Sequence, residues 1–195
     1  IVEQMKPQRR SHGSIAASRR VGTEPPSGAG MRRSTTDAVV ALGQLNAAYA
    51  AVITRRAFNE LGELLLPACV VPLDLVSAPA RDLVGPEALT GMLRSALERF
   101  DHFMLVIRNS VVEADVDECG VVERATGRMF ISEIRHDRST GAWEETHGMY
   151  EDDYLRVDGR WWFAERHYRS LARNANGAVV LGLPERFRHA SRPGR

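Results

Sequence analysis

The chain has 195 residues, 44% of them hydrophobic, enough for one substantial core plus tails rather than several domains. Its net charge of +1 is uneven: residues 1–36 hold seven Lys or Arg against two acids, leaving 19 basic and 23 acidic residues elsewhere, and a mildly acidic body argues against a nucleic-acid partner. No run approaches the roughly 18 apolar residues of a membrane span, the N-terminus lacks the apolar stretch of a secretory leader, and Cys69 and Cys119 form no C-x-x-C pair or disulfide framework, so the expectation is a cytoplasmic protein without a membrane partner.

Residues 1–36 are rich in Arg, Ser, Gly and Pro, and Pro25-Pro26 and Gly28-Ala29-Gly30 interrupt helical periodicity. They read as a disordered basic extension. From Thr36 or Asp37, either able to cap, a helix is expected to about Arg56, with Val39, Leu42, Leu45, Tyr49 and Val52 on its buried face. A short second helix through Phe58, Leu61 and Leu65 ends at Pro67. Cys69 to Val76 alternates like a strand, and Pro72 assigns it to a sheet edge or a bulge. After a loop from Ser77 to Asp82, Pro86 opens a third helix marked by Leu89, Leu93, Leu97 and Phe100.

From His102 to about Ala172 the pattern is strand, with turns near Asp117 to Gly120, at Asp137 to Gly141 and at Asp158-Gly159. Three helices followed by a four-strand meander, with one early strand, make an α+β domain over residues 37–173, in which helices cover one face of a curved antiparallel sheet. Residues 174–195 read as a flexible basic tail.

The Asp158-Gly159 hairpin is the sharpest local signal, since the dipeptide favours a two-residue turn between alternating strands. Regular pairing sets Tyr154 opposite Phe163, Asp152 opposite Glu165 and Tyr150 opposite His167, with Trp161 on the same face. That face is the expected pocket wall, joined by Met104 from the long strand. Two carboxylates held together among aromatic rings repel and lose hydration, which raises a pKa and suits proton transfer. Asp152 is the expected base, His167 the acid, and Tyr49 the group that polarises the substrate. Asp152 and Glu165 are equally read as carboxylates satisfied by nearby hydroxyls or arginines, with His167 in water at the rim. Glu133 sits in the apolar stretch Phe130-Ile131-Ser132-Glu133-Ile134 and needs a partner, for which Arg108 on the adjacent strand is the candidate. The histidines lack metal-ligand spacing and no glycine-rich phosphate loop occurs, so neither a metal nor another cofactor is expected.

The segments Leu45-Asn46-Ala47-Ala48-Tyr49-Ala50, Leu83-Val84-Gly85, Gly148-x-Tyr150-x-Asp152-x-Tyr154 and Asp158-Gly159-Arg160-Trp161-x-Phe163-Ala164-Glu165-Arg166 together resemble the SnoaL-like branch of the nuclear transport factor 2-like superfamily, over roughly Asp37 to Arg173. The resemblance implies a cone-shaped α+β fold enclosing an apolar pocket, commonly homodimeric. It also implies binding of a small, mostly apolar, cyclic or carbonyl-bearing molecule, with cofactor-free isomerisation, cyclisation, dehydration or hydration as the chemistry of catalytic members. The family's histidine-aspartate pair is not reproduced: Thr54 and Ala57 stand where the aspartate is common, and Arg108 where the histidine is. A non-catalytic module, dimerising or docking through an outer sheet face with Trp162, Met149 and Tyr168, is the alternative.

Overall fold

The computed structural model describes residues 28–75, 79–175 and 178–181. Helix α1 (Gly28–Arg55) is followed by a 3-10 helix (Phe58–Glu63), strands β1 (Leu65–Asp74) and β2 (Arg81–Val84), helix α2 (Gly85–Leu97), and strands β3 (Phe100–Val116), β4 (Val122–Asp137), β5 (Trp143–Val157), β6 (Arg160–Ala175) and β7 (Ala178–Leu181). The strands form one mixed, curved sheet in the order β2-β1-β6-β5-β4-β3, with β7 against β6. The expected α+β cone is what the chain builds.

Helix α1 starts eight residues before the expected Thr36, so residues 28–36 are helical rather than part of a disordered extension. Gly28 follows the Pro25-Pro26 pair, and proline is at home just ahead of or inside a first helical turn. Residues 1–27 lie outside the described residues. On α1, Leu42, Leu45, Tyr49 and Val52 are buried as expected, but Val39 is exposed and Ala38 takes its place in the core. The stretch Thr35–Arg55 is long and apolar enough to cross a membrane by composition alone, contrary to the sequence reading. In this fold its apolar stripe is buried: Leu42, Leu45, Tyr49, Val52 and Ile53 pack into one core with Leu61, Leu65, Met129 and Ile131.

Three further expectations are corrected. Strand β1 lies inside the sheet, parallel to β6 and antiparallel to β2. Pro72 pairs with Asp82 of the four-residue β2, so a very short neighbour covers it and the strand is one removed from the edge. The expected loop from Ser77 to Asp82 already contains the start of β2. At the other end, β7 pairs with Arg173 to Ala175 of β6, so part of the expected tail is sheet.

The feature that positions the site is a bulge in the β5-β6 hairpin. Near the turn the pairing is as expected, with Val157 opposite Arg160 and Tyr154 opposite Phe163. Beyond it the register shifts by one: Asp153 faces Glu165, Asp152 faces Arg166, Glu151 faces His167 and Tyr150 faces Tyr168. An extra residue on one strand turns the side chains that follow it to the opposite face, here as far as a second shift beside Gly148. Regular pairing would have set two acids, Asp152 and Glu165, against each other in the interior. The bulged register gives the buried carboxylate a guanidinium instead, which is the favourable cross-strand pair.

Candidate ligand cavity

The helix-side face of the sheet carries two polar clusters separated by aromatic rings. The inner one is a closed charge pair. Arg166 and Asp152 are both fully removed from solvent as side chains, with Arg166 Nε 3.3 Å from Asp152 Oδ1. The Tyr154 hydroxyl donates to Asp152 Oδ2 at 2.9 Å and accepts from Asn46 Nδ2 at 3.1 Å. The guanidinium carbon lies 3.9 Å from the ring centre of Tyr49, 4.1 Å from that of Tyr150 and 4.0 Å from that of Phe163. Three π faces thus take the place of water around a buried cation. Burial pushes the Asp152 carboxyl up to about 6, against the pull of Arg166 and the hydrogen bond from Tyr154.

The second cluster floors a cavity of about 200 Å³. Its roof is apolar, with Leu89, Met92, Leu93 and Leu97 of α2, Ile53 of α1, and Phe103 and Leu105 of β3. Its floor is polar, with Glu133, Arg135, Thr146, Tyr168, Ser170 and Arg173, while Tyr49 and Tyr150 separate it from the inner charge pair. Arg135 donates from Nη2 to Thr146 Oγ1. Its Nη1 lies 3.6 Å from Glu133 and its Nη2 3.4 Å from Glu144. Desolvation raises the Glu133 carboxyl above the usual range, while Arg135, the Tyr168 hydroxyl bonded to it and Arg173 oppose that rise. A carboxylate kept basic at the floor of an apolar chamber is an arrangement suited to taking a proton.

The sequence-predicted residues divide accordingly. Tyr49, Tyr150 and Glu133 line the cavity. Tyr154, Trp161 and Phe163 are buried on the same side as core. The Asp152 side chain is closed to solvent and committed to Arg166 and Tyr154, although the residue borders one outer concavity of about 600 Å³ with Glu165 and His167. The bulge sends those two to the outer face, where Glu165 is exposed and His167 is partly buried, its Nδ1 3.4 Å from Arg169 Nη2. Burial, followed by the charge of Arg169, lowers the pKa of His167. Met104 is 39% exposed and pairs with Ile134 on the outer face, so it is not cavity wall. Arg108 is also outside, bonded to Ser132 and Glu145; the partner of Glu133 is Arg135, two residues along its own strand. Of the residues expected on the outer face, Tyr168 has moved inside.

Sequence reasoning missed Arg135, Arg166, Tyr168, Ser170 and Arg173. Arg135 was within reach, because Met129, Ile131, Glu133 and Arg135 alternate along β4 toward one face. Arg166, Tyr168 and Ser170 were not, since their facing depends on the bulge, while Arg173 follows a second shift between His147 and Gly148 that restores the original alternation.

Gly148 shows how tightly the floor is built. A Cβ there would lie 2.8 Å from Tyr168 Cε2 and 3.2 Å from the Arg169 carbonyl oxygen, while one on Gly127 would meet Tyr154 at 2.9 Å. Each alanine variant is expected to destabilise by about 1–3 kcal/mol through overpacking. Only Gly148→Ala, which displaces the ring bonded to Glu133, should also weaken ligand binding. Urea melts and titration calorimetry on the two variants read this contrast, and equal loss of binding in both would refute it.

The SnoaL-like domain family matches residues 34–167. Among solved structures, a candidate scytalone dehydratase from Novosphingobium aromaticivorans superposes with a TM-score of 0.62 at 21% identity, covering 77% of this chain and 94% of that one. The hexachlorocyclohexane dehydrochlorinase LinA-type3 from Novosphingobium barchaimii gives 0.61 at 15% identity, covering 76% and 96%. LinA gives 0.64 at 14% identity, covering 79% and 99%. No curated protein sequence matches. The structural likenesses establish the shared fold, and with the family match spanning most of the cone, this chain belongs to the SnoaL-like family of the nuclear transport factor 2-like superfamily.

Proposed function

We propose that the domain binds a small, mostly apolar, single-ring molecule bearing a carbonyl or similar oxygen, and moves a proton on it without a cofactor, with Glu133 as the base. The observation that carries this reading is the cavity itself: an apolar roof over a floor in which a largely buried carboxylate is held by Arg135 and Tyr168. Size narrows the ligand class. A dry cavity of about 150 Å³ accepts benzene, so about 200 Å³ suits a substituted single ring and is too small for four fused rings. Tyr49 and Tyr150 supply hydroxyls at the boundary of the floor, and Arg135 supplies the positive charge that stabilises an oxyanion. The names of two fold relatives, a dehydratase and a dehydrochlorinase, denote eliminations, which likewise begin by taking a proton from carbon. This supports proton transfer as the reaction class.

A thermal-shift series of single-ring ketones, enones and lactones against steroids tests the reading. A ligand at 100 times its Kd should add about 2.7 kcal/mol, or roughly 5–10 °C for a chain of this size. Leu93→Trp, which fills the roof, should abolish the shift. A response to steroids alone, or one unaffected by Leu93→Trp, would place binding elsewhere.

A further inference from the structure

We infer that the ligand carries a carboxylate, received by Arg135 and Arg173 at the polar end of the cavity. This deepens the cavity reading and rests on it.

The argument begins with donors that the fold leaves unused. The Arg135 side chain is 9% exposed, and its Nη atoms face Glu133, Glu144 and Thr146. Its Nε is buried and without a hydrogen-bond partner, as is Nε of Arg173. Both residues line the cavity. A buried N–H that gives up water without gaining an acceptor costs free energy, and such groups in native proteins call for an explanation. Strand register explains their convergence: Glu133 faces Thr146 on β5, and Thr146 faces Arg173 on β6. Arg135 follows Glu133 by two residues on the same face of β4. The two guanidinium groups therefore approach the same end of the chamber from strands on either side of β5.

Charge points the same way. Among the described residues, Arg81, Arg135 and Arg173 line the cavity against one acid, Glu133. Glu144 beside Arg135 is shared with Arg99, whose Nη2 lies 3.8 Å away. The charge of Arg173 is felt at Arg135 as repulsion. An anion between the two relieves that repulsion and, once the side chains turn to open their buried Nε groups, accepts from both. A carboxylate offers two acceptor oxygens for two N–H donors, whereas an amide offers one oxygen and adds donors where none are needed. The ring of such an acid would extend toward Leu89, Met92 and Leu93.

Titration calorimetry on the full chain tests this with benzoate, cyclohexanecarboxylate, benzamide, benzyl alcohol and benzylammonium. The expected result is that both acids bind at least tenfold more tightly than benzamide, and that benzylammonium does not bind. Arg173→Gln should bring the acids down to the affinity of benzamide while changing benzyl alcohol less than twofold. The comparison within the parent chain decides the matter by itself if that variant does not fold. Benzamide binding as tightly as benzoate, or an acid preference that survives in folded Arg173→Gln, overturns the carboxylate site. Neutral rings binding while acids do not overturns it and leaves the cavity reading standing, whereas a cavity that takes no ring at all removes both.

Discussion

Arg166→Met should lower stability by about 3–5 kcal/mol, because it leaves the Asp152 carboxylate buried without its counter-charge. For a chain of this size that is a fall in Tm of roughly 10–15 °C. Methionine fills much of the same space among the rings of Tyr49, Tyr150 and Phe163, so the loss reports charge more than volume. The pH dependence gives a second reading. The Asp152 carboxyl is held at about 6, above its ordinary 3.8, so the folded state binds its proton more tightly than the unfolded chain does. The stability this contributes is fully present below pH 3.8 and is lost as pH rises through about 6. A difference of about two pH units corresponds to about 3 kcal/mol. Asp101, Asp137 and Glu145 are shifted down, by hydrogen bonds from His136 for Asp101 and from Ser139 for Asp137, and for Glu145 by Ser132 and Arg108 against its desolvation. They act in the opposite sense, so the effect of Asp152 is read as the difference between parent and variant. Urea melts from pH 4.5 to 7.5 should show that Asp152→Asn removes one falling component of the profile. In Arg166→Met that fall should extend to higher pH, since the cation that favoured ionisation is gone. Identical pH profiles in all three proteins would show that the pair is not the buried charge couple described.

Glu133→Gln should reduce turnover by about 10²–10⁴-fold, the usual worth of a positioned general base, while leaving ligand binding within a few-fold. The amide keeps the size of the side chain and its contact with Tyr168 but cannot accept a proton from carbon. Burial raises the Glu133 carboxyl above the usual range, and only the ionised form acts as base. The rate should therefore rise with pH through a pKa higher than that of an ordinary glutamate, and the Gln variant should lack this rise. Incorporation of deuterium from D₂O beside the ligand carbonyl, followed by NMR, measures the step directly. Unchanged exchange in Glu133→Gln, with exchange lost in Asp152→Asn, would return the role of base to Asp152.

The contrast between these two carboxylates marks where the sequence stopped being sufficient. Helix α1 from Leu42 onward, α2 after Pro86, the four long strands and the Asp158-Gly159 turn follow from local rules: apolar spacing of 3.6 or 2, proline and glycine at their preferred places, and a dipeptide that fits one turn type. Partial burial of Glu133 was also legible, because an acid alternating with Met129 and Ile131 must share their face. These features need only a few neighbouring residues to be specified.

The membership of the site was decided elsewhere. One extra residue in β6 reverses the faces that follow it as far as Ser170, exchanging Glu165 and His167 for Arg166 and Tyr168, before a second shift beside Gly148 restores the original alternation. No local propensity favours that bulge. It is selected by pairing Asp152 with a cation rather than an acid in the interior, and it falls where β1 joins β6 in parallel, at an irregularity of its own between Leu65 and Val70. Likewise Arg135 and Arg173 lie far apart in the chain and meet only because β4, β5 and β6 are neighbours. The sequence alone determined the elements and the cone they form. Only tertiary structure decided which charges face inward, because the energy of a buried charge depends on what the other strands bring against it.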